Sequence, residues 1–75
     1  MNKQDRKELE KAIALIEEAK SIVENIKDQE QEKYNNLTEG LQQSERGQKY
    51  EENANTLEEV YSSLEEAVDR ITETL

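Results

Sequence analysis

The sequence contains no cysteine and no histidine, and it also lacks proline, tryptophan and phenylalanine. Without cysteine there is no disulfide framework and no thiolate chemistry, and without histidine the commonest general base and metal ligand is missing. No phosphate-binding loop, dinucleotide fingerprint or calcium-loop spacing is present. We therefore expect no enzymatic activity, no cofactor and no metal site.

Long apolar runs are missing as well. The chain has 75 residues, of which 32% are hydrophobic and 39% are charged. A chain of this length forms at most one small domain, and its core is thin. No stretch is apolar enough for a signal peptide or a membrane span, so we expect a cytoplasmic protein that does not contact a membrane.

Positive charge is scarce, because ten Lys and Arg face nineteen Asp and Glu and leave a formal net charge of −9. Residues 51–75 hold eight acidic residues and only one basic residue, Arg70, a net charge of −7. Such a chain is repelled by nucleic-acid phosphates and anionic membranes. Direct binding to nucleic acid is therefore not expected, whereas a basic protein surface is the natural partner.

Heptads fill both halves of the chain. Written from Tyr50, the second half reads YEENANT, LEEVYSS, LEEAVDR, ITETL, and written from Leu9 the first half reads LEKAIAL, IEEAKSI, VENIKDQ. A 4-3 alternation of apolar residues predicts coiled-coil helices. In the first helix the predicted seam consists of Leu9, Ala12, Ile16, Ala19, Val23 and Ile26, broadened by Ile13, Leu15 and Ile22.

The two helices are expected over about residues 3–35 and 45–74, with a connector over about residues 36–44. Gly40 could end the first helix in a left-handed conformation, or Thr38 could instead cap a short helical turn. Ser44 is a plausible N-cap for the second helix. This pattern predicts a single all-α domain, an antiparallel two-helix hairpin resembling a coiled coil.

The apolar stripes are broader than one neighbouring helix can bury, so we expect a homodimer that forms an antiparallel four-helix bundle. Its oligomer seam is predicted to consist of Leu57, Tyr61, Leu64, Val68, Ile71, Ile16, Val23 and Ile26.

Three features are candidates for function. The first is an acidic face in which pairs recur every seven residues: Glu51, Glu52, Glu58, Glu59, Glu65 and Glu66. It is either a solvated face that keeps the bundle soluble or a mimic of nucleic-acid phosphates that occupies a basic groove.

The second candidate is a polar stretch of seam at Glu30, Lys33 and Asn53, either the wet end of the bundle or a recognition layer. The third is a patch beside the turn, at Arg46, Gly47, Lys49 and Tyr50, where Arg46 either pairs with a nearby glutamate or contacts a partner.

The segment NNLTEGLQQSERG resembles a motif, N-L-x-E-G-L-Q-x-S-E-R-G, found in small acidic helical proteins of phages and prophages of Gram-positive bacteria. It is carried by Asn36, Leu37, Glu39, Gly40, Leu41, Gln42, Ser44, Glu45, Arg46 and Gly47. Thr38 stands where proline is frequent in that group. The resemblance implies a mobile-element origin and residence in the cytoplasm of a bacterial host, but no established activity.

Three functions follow as hypotheses. The leading one is a non-enzymatic phage-type interaction protein that binds a host or phage protein, such as an inhibitor of a defence system of the anti-CRISPR kind. The alternative is a structural or assembly module that acts by oligomerising. A further alternative is a small-ligand sponge with oligomer pockets near the turn.

Overall fold

The computed structural model describes residues 1–75 and contains three helices and no strand: α1 spans Lys3–Asn35, α2 spans Glu39–Gln42 and α3 spans Glu45–Thr72. The long helices α1 and α3 pack against each other in a rod of 58 × 15 × 13 Å. The predicted all-helical hairpin is therefore confirmed. The second long helix ends at Thr72, two residues before the predicted position 74.

Each helix begins at a side-chain cap. Asn2 accepts a hydrogen bond from the Asp5 amide at 2.7 Å, and Ser44 accepts one from the Gly47 amide at 3.2 Å. Thr38 caps α2 through the Leu41 amide at 3.4 Å. These contacts satisfy amides that have no partner inside their own helix.

The connector reverses the chain without any residue in the left-handed conformation, because neither the glycines nor any other residue has a positive φ. Of the two alternatives for this segment, the Thr38 cap is the one observed. Gly40 lies inside α2 rather than at a helix C-cap, so its conformational freedom is not what ends α1. Instead α1 ends at Asn35, and the Asn36 amide bonds back to the Glu32 carbonyl at 3.0 Å.

Gly47 marks the place where the connector crosses the first turn of α3. It is one of only two buried residues in the chain. A Cβ atom on Gly47 would lie 2.5 Å from the Leu41 carbonyl oxygen and 2.6 Å from the Gln42 carbonyl oxygen. Only a residue without a side chain allows this approach of backbone to backbone.

The contact between the long helices uses only part of the predicted seam of α1: Leu9, Ile16 and Val23 lie in it, whereas Ile26 does not. The residues of α1 that turn toward α3 are partly buried at intervals of three and four: Leu9, Ile13, Ile16, Lys20, Val23, Lys27, Glu30 and Tyr34. Ile26, assigned by the sequence to the seam, is 42% exposed on a neighbouring face. Two apolar rows lie side by side on α1, and heptad spacing alone cannot say which of them faces α3.

On α3 the predicted row is the one that faces α1. Its members are half-buried or buried: Tyr50, Ala54, Leu57, Tyr61, Leu64, Val68 and Ile71. Ala54 is the only hydrophobic residue that is buried, and no large side chain is fully enclosed. A single hairpin therefore has no closed core.

Candidate functional site

The six glutamates of the predicted acidic face do not form one free surface. Lys27 Nζ donates a hydrogen bond to Glu58 Oε2 at 2.9 Å, and Lys20 Nζ lies 3.9 Å from Glu65 Oε2. The hydrogen bond to Glu58 raises the pKa of Lys27. Glu58 and Glu65 thus pair with lysines of α1 across the hairpin.

Glu51, seven residues before Glu58, changes the pKa of a tyrosine of α1. A hydrogen bond to the Glu51 carboxylate, together with burial and the carboxylate's charge, raises the pKa of the Tyr34 phenol. We call Glu51, Glu58 and Glu65 the paired acidic row, because each of the three interacts with a side chain of α1. Farther along the hairpin, burial is the main cause that raises the pKa of Tyr61.

The other three glutamates are exposed, and the structure gives them no ion pair. We call Glu52, Glu59 and Glu66 the free acidic row. They recur every seven residues along a continuous helix, so successive carboxylates are about 10 Å apart. This half of the predicted face remains available to a partner.

The sequence did not lead us to predict that Lys20 and Lys27 pair with glutamates of α3. The Lys20 side chain is only 13% exposed and lies 5.1 Å from the centre of the Tyr61 ring. The signal that could have found them is their seven-residue spacing, which equals the spacing of Glu58 and Glu65. In an antiparallel hairpin two such pairs can form together only in one register.

The patch beside the turn is organised around the Tyr50 ring. Arg46 Nε donates a hydrogen bond to the Tyr50 hydroxyl at 2.8 Å, and its guanidinium carbon lies 5.7 Å from the ring centre. Lys33 Nζ lies 5.6 Å from the same centre. Arg46 has no carboxylate partner, so the predicted surface pair with a glutamate is not observed. Gly47 is buried beneath the connector and offers no surface to a partner.

The polar stretch of seam is brought together in part. Glu30 turns toward α3 with its side chain 15% exposed, and its Oε1 lies 3.5 Å from Lys33 Nζ, while its buried Oε2 has no hydrogen-bond partner. Lys33 itself is half exposed. An open groove of about 360 Å³ lies here and is lined by Ile26, Glu30, Lys49, Glu52, Asn53, Thr56 and Leu57.

The same side of the hairpin carries uncovered apolar side chains. Leu15 and Ile22 are each 58% exposed, and Ile26 and Val60 are exposed as well. The groove shows that Ile26 of α1 and Asn53 and Thr56 of α3 share this side. We call it the open face. The opposite side of the hairpin carries the Lys27–Glu58 pair.

Other kinds of site have no support in the geometry. No group of three or more acidic, cysteine or histidine side chains is arranged to hold a metal ion. None of the three helices combines the length and the apolarity that crossing a membrane requires. No protein-family model matches the chain, and neither does any curated protein or any solved structure.

Proposed function

We propose that the hairpin is a non-enzymatic protein-interaction module that works as a homodimer and binds a basic surface on a host or phage protein. The observation that carries this proposal is the free acidic row. Glu52, Glu59 and Glu66 lie on a rigid helix at regular spacing, and no residue of the hairpin uses them.

A row of unpaired carboxylates favours encounter with a complementary surface. Electrostatic attraction raises the association rate and selects against acidic partners, and it weakens as salt is added. A groove that normally binds nucleic-acid phosphates has this complementary chemistry. Together with the resemblance to phage proteins, this supports an inhibitor of a defence or nucleic-acid-binding protein that acts by occupying such a groove.

The homodimer is supported by the lack of a closed core. A hairpin that buries only Ala54 among its hydrophobic residues, and leaves Leu15 and Ile22 more than half exposed, gains little from the hydrophobic effect as a monomer. A second copy would cover the exposed side chains and complete a four-helix bundle.

The interaction is tested by charge reversal on one row at a time. The test variant carries Glu→Lys at Glu52, Glu59 and Glu66, and the control carries it at Glu10, Glu18 and Glu32, which are exposed and unpaired on α1. Both variants change the net charge equally. Binding to proteins captured from the bacterial host, identified by mass spectrometry, should be lost only in the test variant. Equal binding by the wild type and the test variant would overturn the proposal.

The paired acidic row is unsuitable for this test. Reversing Glu58 or Glu65 would place a lysine beside Lys27 or Lys20 and destabilise the hairpin itself, so lost binding would not report on a partner.

The alternative function, an assembly module, is favoured by the open face. It predicts that biological activity survives reversal of the free acidic row and is lost when Ile22 is replaced by Glu. Substitutions at Leu57 or Leu64 do not separate the two functions, because both residues lie in the contact between α1 and α3.

The further alternative, a small-ligand sponge that binds its ligand near the turn, is favoured by one observation. The Arg46 guanidinium lies against the Tyr50 ring and has no carboxylate partner. A small anion could pair with that guanidinium. Millimolar inorganic phosphate should then raise the melting temperature of the wild type and not that of the Arg46→Ala variant. An equal rise in both proteins would remove Arg46 from the site.

A further inference from the structure

The open face continues along α1 as one unbroken row at intervals of four and three residues. The row begins with an acidic residue, ends with a basic one and is free of charge between them: Glu8, Ala12, Leu15, Ala19, Ile22, Ile26, Gln29 and Lys33. Glu8 is exposed, and the Lys33 side chain is 52% exposed although its Nζ also lies 3.5 Å from Glu30 Oε1, so both charges are accessible to a partner. Such spacing is that of a helix–helix contact, yet α3 covers a different row.

We propose that this row packs against the same row of a second copy, with the two α1 helices antiparallel and a two-fold axis between Ala19 and Ile22. The proposal deepens the homodimer proposed above and rests on it. It assigns the open face to the second copy and leaves Glu59 and Glu66 of the free acidic row for the basic partner, while Glu52 lies beside the groove between the two surfaces.

The row is complementary to itself when it is read in opposite directions. Glu8 comes opposite Lys33 of the second copy, which pairs opposite charges at both ends. Leu15 comes opposite Ile26, and Ala19 comes opposite Ile22, so that a small side chain meets a larger one near the axis. A two-fold contact requires this self-complementarity, because each residue meets its counterpart twice.

A parallel arrangement of the two rows is less favourable. It would place Glu8 against Glu8 and Lys33 against Lys33, and like charges at close range repel each other. It would also place Ala19 opposite Ala19 and Ile22 opposite Ile22, which leaves a gap beside a crowded position.

The neighbouring row of α3 allows the second copy to approach. This row consists mainly of small or uncharged residues and contains no carboxylate: Lys49, Asn53, Thr56, Val60, Ser63, Ala67, Arg70 and Thr74. Every acidic residue of α3 lies on another row. Apart from Glu52, whose side chain lines the groove, α3 contributes no carboxylate to the open face, as expected where two strongly acidic chains meet.

The size of the open face is adequate for a stable dimer. A helix of 33 residues is about 50 Å long, and the rod is 15 Å across at its wider side, so one face of it covers on the order of 750 Å². Standard interfaces bury about 800 Å² on each partner. The open face thus has room for a second copy along most of its length.

Disulfide formation between single-cysteine variants tests the arrangement, because the wild-type chain has no cysteine of its own. Leu15→Cys and Ile26→Cys proteins are mixed, oxidised and separated without reductant. The proposal expects the mixed disulfide between the two variants to exceed each homodisulfide at least ~10-fold, since residues 15 and 15 of two antiparallel helices are about 16 Å apart along the axis. Ser21→Cys, which is exposed and has no residue of the row three or four positions away, serves as the control for random collision.

Predominant homodisulfides would show a parallel contact, and disulfide yields no higher than those of Ser21→Cys would show that α1 does not meet α1. Either result overturns the proposal. A dimer by light scattering combined with either result leaves the homodimer in place, so the two failures are distinguishable.

A second measurement concerns affinity. Ile22→Glu should raise the dimer dissociation constant at least ~100-fold by light scattering or sedimentation, because the substitution occurs twice at a two-fold interface. Ser21→Glu adds the same charge one residue away, outside the row, and should leave the constant within about threefold of the wild type. Equal effects of the two substitutions would contradict the assigned face.

Discussion

The chain contains only two glycines, and the structure predicts opposite effects when each is replaced by alanine. Both lie in helices and both have a negative φ, so alanine is conformationally acceptable at either position. Helix propensity alone would therefore favour the two substitutions by up to about 1 kcal/mol each. The space around each residue makes the difference.

At Gly47 the new methyl group would meet backbone. A Cβ atom there would lie 2.5 Å from the Leu41 carbonyl oxygen, 2.6 Å from the Gln42 carbonyl oxygen and 2.8 Å from the Gln42 carbonyl carbon. Relief requires the connector to move away from α3, and overpacking of this kind costs about 1–3 kcal/mol. After the gain in propensity, we expect Gly47→Ala to lower the free energy of unfolding by up to about 2 kcal/mol.

At Gly40 no atom lies within 4 Å of the position that Cβ would occupy. Gly40→Ala should therefore raise the free energy of unfolding by about 0.5–1 kcal/mol, mainly by restricting the unfolded chain. The measurement is urea unfolding followed by circular dichroism at one fixed protein concentration, because a dimer's midpoint depends on concentration. If Gly47→Ala raises the free energy of unfolding as much as Gly40→Ala does, the close crossing of connector and α3 is wrong.

Two further predictions concern the charged side of the hairpin. Glu58→Lys should lower the melting temperature, because it places a second cation beside Lys27, whereas Glu59→Lys on the free acidic row should change it little; equal shifts would contradict the division into two rows. Stability should also fall as the pH rises above about 10. The folded-state pKa values of Lys27, Tyr34 and Tyr61 are all raised, so at alkaline pH the folded protein binds more protons at these groups than the unfolded chain does. The free energy of unfolding therefore decreases as the pH rises through this range. Replacing both tyrosines by Phe should flatten the decline in urea midpoint, and an unchanged decline would refute their contribution.

Much of the architecture could be read from local patterns. Seven-residue repeats, the absence of proline and the cap residue Ser44 were sufficient to predict two long helices and their approximate ends. Each of these signals acts within one or two turns of helix and needs no knowledge of the partner helix. The acidic face of six glutamates could also be placed in this way, since residues seven apart share a face, but its division into two rows could not.

The candidate sites were less predictable, because they depend on how the helices are rotated against each other. Glu58 and Glu59 are equivalent in the sequence pattern, yet one binds Lys27 and the other has no ion-pair partner. Arg46 could have paired with any of several glutamates, but the register places it on Tyr50 instead.

The sequence by itself determined the helices, the hairpin and the excess of negative charge, because helix periodicity and net charge are local or additive properties. Only the tertiary structure decided which of two apolar rows on α1 faces α3. That choice depends on packing and on two ion pairs that join distant residues, Lys27 with Glu58 and Lys20 with Glu65. By turning Lys20 and Lys27 inward, the fold left Leu15 and Ile22 on the outside, and the open face exists for that reason.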